Sequence, residues 1–302
     1  MLPGFNLETM LQVVAEHKIK ELLLVPPIVL LMVNDPITQK YDLSHVSNIT
    51  SGAAPLSSEL LQLLRAKFPN FGFKQGYGMT ESTSCITMHP QDKTSYDYAA
   101  RGGTIVPNTE VKVIDVDSGR ELGYNEPGEI LARGPQVVAS YLNNEKATRE
   151  TFEPDGWLHT GDVGYVDREN FITITDRIKE MIKVKGIGIS PAELEDLLLG
   201  HPAIFDSAVT SIPETYSGER PKAFVVVNPD LRNTLDEAKL TQLGEDIIKY
   251  VQGKKVRHKW IAEVEFVDVV PKSASGKILR RMLKANNAKK GLVVRENARA
   301  KL

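Results

Sequence analysis

The first 105 residues alternate short apolar runs with amphipathic helical patterns, and this alternation limits the fold more than any other feature of the sequence. The runs at 22–25, 46–50 and 71–75 have the length and the apolar content of strands. A helical pattern opens at Ser57 and ends at Pro69, with leucines spaced three and four apart on one face. Strands that alternate with helices are typical of layered folds, so we predict an α/β architecture for this part of the chain.

The pattern changes further along the chain. Short strands separated by Gly, Pro and Asn at 110–133 predict a small β-barrel or a meander. A basic segment then leads to Ser190, which is placed as a helix N-cap in a capping box with Glu193. The strand and helix patterns that follow indicate a compact α+β unit. We therefore predict an α/β domain with a small β-barrel at 1–176 and a small α+β domain at 177–302.

Composition excludes several classes of protein. The formal net charge is -2, from 37 Lys and Arg against 39 Asp and Glu, so no nucleic-acid partner and no polybasic membrane contact is expected. The single cysteine, Cys85, excludes an internal disulfide and a thiolate zinc site. The most apolar stretch, 22–33, is shorter than the roughly 20 residues of a membrane-spanning helix, so no membrane span is expected.

Four groups of loop residues concentrate glycine, hydroxyl and charged side chains, and binding sites are often built on such loops. Small residues at 51–56 let a flat ligand lie against the backbone. The segment 75–81 offers glycines, a hydroxyl for a phosphate oxygen and a carboxylate for Mg²⁺. A carboxylate after a Gly turn at 156–162 can hold ribose hydroxyls. The pair at 176–177 and the segment 272–277 supply cations for phosphate or carboxylate charge.

Each of these segments alone also has an ordinary structural explanation. A Gly-rich loop is more often a turn than a nucleotide site, and an Asp after Gly is usually a cap or an Asx-turn. Lys277 alone fits a solvated lysine at the start of a helix, and His159 beside Trp157 fits packing better than catalysis. Their joint occurrence, in this order, is what points to one function.

Seven strings in this order resemble the adenylate-forming (AMP-binding) superfamily, specifically the acyl- and aryl-CoA ligases similar to 4-coumarate–CoA ligase and firefly luciferase. The resemblance runs from residue 2 to about residue 284 and corresponds to the C-terminal half of the family's length. The strings are SGAAPL (51–56), QGYGMTE (75–81), GEILARGPQV (128–137), GWLHTGDVGYVD (156–167), ITDRIKEMIKVKG (174–186), SPAELE (190–195) and PKSASGKILRR (271–281).

The resemblance implies an ATP-dependent, AMP-forming acid–CoA ligase. In this family a carboxylic acid attacks the α-phosphorus of ATP to give an acyl-adenylate and pyrophosphate, and the thiol of CoA then displaces AMP. The implied substrates are a fatty or aryl acid, ATP and CoA, with Mg²⁺ as the metal ion. The implied fold is the C-terminal part of the large adenylate-forming domain, followed by a small mobile lid.

The resemblance also implies roles for individual residues. Thr80 would contact the α-phosphate, and Glu81 would bind Mg²⁺. Asp162 and Arg177 would bind the ribose hydroxyls. Lys277 would bridge the substrate carboxylate and the α-phosphate during adenylation. The residues that would flank the nucleotide and the acyl pocket are Gly52, Ala53, Ala54, Gln75, Gly76, Tyr77 and Gly78.

A hinge is implied at Lys179. The small domain would turn about it and exchange the face of Lys277 for a face that meets CoA during thioester formation. That second face would carry Lys183, Lys185 and Gly186. At position 188 the family often has a long polar residue where this chain has Gly, so one polar contact to the adenylate or to CoA is expected to be absent.

Two segments of the family do not occur in this sequence. One is the phosphate loop of the S-G-T-T-G-x-P-K-G type, and the other is the histidine-bearing helix that usually precedes the SGAAPL string. We therefore expect the intact gene product to be a ligase and this chain alone to have little or no adenylation activity. Two alternatives stay open: a truncated non-catalytic homologue that acts as a pseudoenzyme or interaction module, and transfer of the acyl-adenylate to a carrier-protein thiol.

The chain ends in Ala300-Lys301-Leu302, a conservative variant of the S-K-L peroxisomal signal. Basic and polar residues precede it, as suits a tail that a receptor reads, although a chance match to a three-letter code is the alternative. We expect a peroxisomal location with the import receptor as a partner, and a cytoplasmic location as the alternative. A peroxisomal location favours a fatty or secondary-metabolic acid as substrate.

Overall fold

The computed structural model describes residues 4–52, 56, 58–232, 234–273, 276–285 and 291–296. It divides into two compact units, one up to Ile174 and one from Thr175 onward. The division into domains at 1–176 and 177–302 stays a prediction. None of the helices in the described ranges is long and apolar enough to cross a membrane.

The N-terminal unit begins with helices and strands in turn, as the sequence predicts. Asn6 caps the first helix, because its side-chain oxygen accepts from the Thr9 amide at 2.9 Å. The helices and strands are α1 (Leu7–Glu16), β1 (Glu21–Leu24), α2 (Pro26–Asn34), β2 (Asn48–Ser51), α3 (Ser58–Lys67), β3 (Gly72–Tyr77), β4 (Thr87–Met88), β5 (Thr104–Ile105), β6 (Glu110–Ile114), β7 (Gly128–Arg133), α4 (Glu145–Thr151), β8 (Leu158–Val166) and β9 (Ile172–Arg177), the last of which crosses the unit boundary.

The first sheet has the strand order β1-β2-β3-β4-β5. Strands β1, β2 and β3 are parallel, and β4 and β5 continue the sheet in antiparallel pairs. The core between this sheet and helices α1, α2 and α3 includes the fully buried side chains of Leu11, Met32, Ile49, Leu64 and Phe73. Parallel strands buried beneath helices confirm the predicted α/β layers.

The second sheet is an open path of four strands, β6-β7-β8-β9. β6 pairs antiparallel with β7, and β7 pairs antiparallel with β8. The predicted small β-barrel is therefore wrong for the described residues, and the alternative of a meander is correct.

The C-terminal unit is a mixed sheet with helices packed on it. Its elements are β10 (Ile182–Val184), β11 (Ile187–Ile189), α5 (Pro191–Leu199), β12 (Ile204–Glu214), β13 (Gly218–Val227), α6 (Pro229–Arg232), α7 (Glu237–Lys254), β14 (Glu263–Phe266), α8 (Arg280–Ala285) and β15 (Val293–Arg295). Strand β13 is central, since it pairs antiparallel with β12 and β10 and parallel with β14. Side chains from the sheet, α5 and α7 form the core, among them Leu198, Val209, Ile247 and Val264.

The start of α5 confirms half of the predicted capping box. Ser190 caps the helix by accepting from the Glu193 amide at 3.1 Å. The Glu193 carboxylate, however, accepts from the ammonium groups of Lys255 and Lys259 at 2.6 Å each. The Glu193 side chain, which the predicted capping box would use as a second cap, instead forms ion pairs that join α5 to the end of α7 and the turn after it.

Candidate active site

A short loop after β3 carries the Gly-Met-Thr-Glu part of the second motif. Its single turn of helix, Thr80–Ser82, is followed by Thr83 and Ser84 with φ of 48° and 94°, a left-handed backbone that is uncommon for residues other than Gly. A Cβ on Gly78 would lie 1.8 Å from the Ser84 carbonyl oxygen, so this loop closes only with glycine there. Strained backbone of this kind clusters at functional sites. The loop borders an open cavity of about 700 Å³ lined by Gly78, Met79, Thr80, Thr83, Ser84 and Val138.

Glu81 is oriented by a tyrosine from a distant part of the chain. Tyr141 Oη donates to Glu81 Oε1 at 2.6 Å, and the Val138 amide donates to the Glu81 carbonyl oxygen at 2.9 Å. Burial, and next the hydrogen bond to Glu81, raise the pKa of Tyr141, so the phenol keeps its proton at neutral pH and stays a donor. Thr80, beside Glu81, is exposed at the cavity. Sequence reasoning missed Tyr141, because this contact spans 60 residues and leaves no local signal.

Asp162 lies in a β-bulge of β8. Between the paired residues His159 and Val163, three residues of β8 face Ile130 alone on β7. Gly161, in the middle of this bulge, has φ of 68°, which favours glycine. Bulges beside active sites commonly re-aim a side chain, and here the side chain concerned is the aspartate of the third motif.

The carboxylate of Asp162 is bound by Tyr77, the last residue of β3. Tyr77 Oη donates to Asp162 Oδ2 at 2.8 Å, and Asp162 is only 2% exposed. The structure thus brings together two predicted site residues that are 85 positions apart in the sequence. Tyr77 directly precedes Gly78, which lines the cavity.

Some predicted residues of this unit serve the fold itself. The Gln75 side chain is buried, and its amide donates to a backbone carbonyl oxygen. A Cβ on Gly76 would lie 3.1 Å from a methionine of the neighbouring strand β4, so glycine suits the strand pairing there. Gly52 is half-buried just after β2, and Ala53 and Ala54 lie outside the described residues.

Lys277 lies on a tight turn of the C-terminal unit. The Ser273 amide donates to the Lys277 carbonyl oxygen at 2.9 Å, the Lys277 amide donates to Ser273 Oγ at 3.1 Å, and Gly276 has φ of 86°. Lys272, at the base of the turn, binds both carboxylate oxygens of Asp206 at 2.8 and 2.7 Å. Lys277 is exposed, so an anchored turn presents its ammonium group to solvent.

The same turn leads into α8, whose first residue, Arg280, is the centre of an ion-pair cluster. Its guanidinium donates to both oxygens of Glu195 at 2.8 Å and also binds Glu180. Glu195 is 8% exposed, and burial raises its pKa although the charge of Arg280 acts in the opposite direction. Arg280 therefore ties the start of α8 to α5 and to the segment of the predicted hinge. In that segment Lys179 is exposed and Arg177 is half-buried.

The residues predicted to face CoA lie on the β10–β11 hairpin. Lys183, Lys185 and Gly186 are exposed, and the last two form the turn with φ of 53° and 80°. At position 188, where the chain departs from the family, a Cβ would lie 2.1 Å from the terminal methyl group of Met181. Met181 thus occupies the space that a side chain on Gly188 would need.

The described residues contain no cluster of three or more His, Cys, Asp and Glu side chains that could hold a metal ion.

The strained Thr-Glu loop and the bulged aspartate belong to the N-terminal unit, and the lysine turn belongs to the C-terminal α+β unit. Each unit thus carries motif residues that the resemblance to adenylate-forming enzymes predicts. The solved structure of ATP-bound MatB from Rhodopseudomonas palustris is similar, with a TM-score of 0.81 and 27% identity over 94% of this chain and 54% of that one. The anthranilate CoA ligase AuaEII in complex with anthranoyl-AMP is similar with a TM-score of 0.80 and 27% identity, over 94% and 53% of the two chains.

Sequence comparison identifies the family. The model of the AMP-binding enzyme family matches residues 1–142, and that of the AMP-binding enzyme C-terminal domain matches residues 193–277. The chain is 43% identical to 4-coumarate–CoA ligase 1 of Glycine max over 95% of its own length and 96% of that protein. It therefore belongs to the AMP-binding enzyme family, as the motif strings predict. It is also 44% identical to 4-coumarate–CoA ligase 1 of Arabidopsis thaliana, over 95% and 50% of the two lengths, and so spans about half of that relative.

Proposed function

We propose that this chain takes part in joining a carboxylic acid to CoA through an acyl-adenylate made with ATP. Membership of the AMP-binding enzyme family supports the use of ATP. Relatives named 4-coumarate–CoA ligase support CoA, rather than a carrier-protein thiol, as the acceptor of the acyl group. Those names, and a similar structure in complex with anthranoyl-AMP, support an aromatic acid as the substrate.

The observation that carries the proposal is the Tyr77–Asp162 pair beside the strained loop. A buried carboxylate that a phenol hydroxyl holds in place is a fixed acceptor, and the two hydroxyls of a ribose are donors that match it. Thr80, exposed at the cavity, offers its hydroxyl to the α-phosphate. By the resemblance, Arg177 would add positive charge for the ribose, and Lys277 would add it for the reacting carboxylate and phosphate. Catalysis then depends on positioning and charge stabilisation, with little covalent chemistry by the protein.

Glu81 fits a Mg²⁺ site that the substrate completes. Its carboxylate is a hard oxygen ligand, it is half-buried, and Tyr141 orients one of its oxygens at 2.6 Å. Mg²⁺ is commonly bound by one or two carboxylates together with phosphate oxygens and water. When bound, the ion would neutralise charge on the phosphates of ATP, and Tyr141 would hold the Glu81 carboxylate in place.

The exposed β10–β11 hairpin is the proposed contact for CoA. Lys183 and Lys185 offer ammonium groups to its phosphates, and Gly186 lets the ligand approach the backbone. Lys179, exposed before the hairpin, is the proposed hinge residue.

The proposed activity predicts ATP–pyrophosphate exchange that depends on an added acid, followed by acyl-CoA formation. The assay uses the chain alone and the chain preceded by the N-terminal half of the Arabidopsis thaliana relative, because this chain spans 50% of that protein. Exchange is expected only in the longer protein, with aromatic acids giving higher rates than aliphatic acids, and reactions without acid are the control. If the longer protein binds AMP but gives no exchange with any acid, the chain is a non-catalytic nucleotide-binding protein.

A peroxisomal location is part of the proposal, and the C-terminal Ala300-Lys301-Leu302, outside the described residues, supports it. A fluorescent reporter that ends in residues 291–302 is expected to enter peroxisomes. One residue appended after Leu302 is expected to leave it in the cytoplasm, because the import receptor reads a C-terminal tripeptide. Co-localisation with a peroxisomal marker measures both, and a diffuse signal from the unmodified reporter would refute the location.

A further inference from the structure

His159 lies in β8 at the edge of the bulge that carries Asp162, and its sequence context favours packing beside Trp157. Its ring nitrogens instead meet two carboxylates. Nδ1 lies 3.1 Å from Glu129 Oε2, and Nε2 lies 3.1 Å from Glu153 Oε1. A neutral imidazole donates one hydrogen bond and a protonated imidazole donates two, so the ring holds at least one of these carboxylates in either form.

Glu129 connects this histidine to the bulge. Its other oxygen, Oε1, accepts from the Gly161 amide at 3.1 Å. One carboxylate therefore bridges the imidazole and the backbone immediately before Asp162. The Glu129 side chain is only 12% exposed, so water competes weakly for these two hydrogen bonds.

A second hydrogen-bonded chain fixes the other side of the bulge. Thr160 Oγ1 donates to the Ile130 carbonyl oxygen at 2.6 Å and accepts from the Asp162 amide at 3.1 Å. With Tyr77 holding the Asp162 carboxylate at 2.8 Å, the direction of that side chain depends on the backbone of Gly161 and Asp162. The His159–Glu129 pair thus supports the backbone of the bulge, and through that backbone it affects the direction of the Asp162 side chain.

Removing the imidazole would leave the carboxylates of Glu129 and Glu153 on either side of an empty space. Like charges in a partly shielded space repel each other, so the position from which Glu129 accepts the Gly161 amide is expected to shift. Lys112, whose ammonium group lies 3.7 Å from Glu153, offsets charge at Glu153, whereas among the described residues the side chain hydrogen-bonded to Glu129 is that of His159. The position of Glu129, which contacts the bulge, therefore depends on His159.

We propose, resting on the proposed function of Asp162 in binding ribose, that His159 is a positioning residue that holds the Gly161–Asp162 bulge in its ligand-binding form through Glu129. His159 touches neither the ribose nor the reacting atoms. It sets the affinity for the nucleotide by keeping the Asp162 carboxylate aimed.

A double-mutant cycle with AMP as the ligand tests this inference on the 302-residue chain. His159→Ala is expected to weaken AMP binding about tenfold, which is about the effect of losing one hydrogen bond to a charged group. In the Asp162→Asn background the same change is expected to alter affinity less than about twofold, because coupled residues are not additive. Titration calorimetry up to millimolar AMP gives all four constants, and thermal unfolding of each variant reports folding.

Two conservative variants separate positioning from general structure. In His159→Asn the introduced side-chain amide can replace the Nδ1 donor towards Glu129, whereas in His159→Gln it can replace only the Nε2 donor towards Glu153. Binding close to the native affinity for the first variant and a loss of about tenfold for the second are expected, and this comparison decides the matter if His159→Ala does not fold.

Different results would overturn the role of His159, the assignment of Asp162 and the proposed function. Equal affinities of the His159→Asn and His159→Gln variants, or the same loss from His159→Ala with and without Asp162, would overturn the role of His159. Unchanged AMP binding by Asp162→Asn would overturn the assignment of Asp162 to ribose. No AMP binding by the unsubstituted sequence, either alone or preceded by the N-terminal half of the Arabidopsis thaliana relative, would overturn the proposed function itself.

Discussion

Lys277→Ala is expected to lower the rate of adenylation by about a hundredfold or more, while thioester formation from supplied acyl-adenylate stays within about twofold. Lys277 is exposed on its anchored turn, so its ammonium group is available for one reaction step. ATP–pyrophosphate exchange measures the first step in the chain preceded by the N-terminal half of a relative. Acyl-CoA formation from synthetic acyl-adenylate measures the second.

Lys249→Ala is the matched control for this experiment. Lys249 is an exposed lysine of α7 that pairs with Asp246 at 3.6 Å, so its loss removes the same charge far from the proposed chemistry in sequence. Both variants should keep the unfolding free energy within about 0.5 kcal/mol, as surface substitutions usually do. Equal loss of both half-reactions in Lys277→Ala would contradict a role confined to adenylation.

Arg280→Met is expected to lower the unfolding free energy of the C-terminal unit by about 3–5 kcal/mol, because it leaves the buried Glu195 carboxylate without its partner. Urea unfolding followed by the fluorescence of Trp260, in a Trp157→Phe background, measures this change. Arg295→Met is the control, since Arg295 pairs with Glu263 at 2.8 Å from an exposed position. That pair should contribute less than about 1 kcal/mol.

The effect of Arg280→Met should depend on pH in a defined direction. Burial already raises the pKa of Glu195 above its usual 4.5, and the loss of Arg280 raises it further. The folded variant then keeps a proton that the unfolded chain releases, so its unfolding free energy rises as the pH falls from neutral towards 4.5. The difference in unfolding free energy between the unsubstituted protein and Arg280→Met should therefore become smaller as the pH falls over that range. A deficit that is constant with pH, or equal losses from the Arg280 and Arg295 variants, would refute this account.

The parts of the fold with regular apolar spacing could be predicted from the sequence. Helix α3 follows its leucines, and α1 follows its cap at Asn6. The β10–β11 hairpin and β15 could not be predicted, because strands of three residues are too short to show alternation. The prediction of a small β-barrel is wrong for a related reason. Short strands and turn residues indicate a sheet, but only the pairing between distant strands decides whether that sheet closes.

The candidate site shows the same division between local and distant information. The order of the motif strings locates Thr80, Glu81 and Asp162 in the sequence. The side chains that orient two of them lie far away, since Tyr141 is 60 positions from Glu81 and Glu129 is 32 positions from the Gly161 amide that it accepts from. Such contacts follow from the pairing of β7 with β8 and from the path of the chain after β7, which no local pattern encodes.

The bulge in β8 also restricts how this region can change in length. Three residues of β8 face one residue of β7, an excess of two, and side chains along a strand alternate between the faces of the sheet with a period of two. Leu158 before the bulge and Gly164 after it are therefore buried on the same side. An insertion or deletion of one residue in the regular part of this strand would move the side chains after it to the opposite face of the sheet. A change of two residues would leave each side chain on its present face. A change of two residues is thus expected to be tolerated better than a change of one, which the strand could absorb only by rearranging the bulge, whatever ligand Asp162 binds.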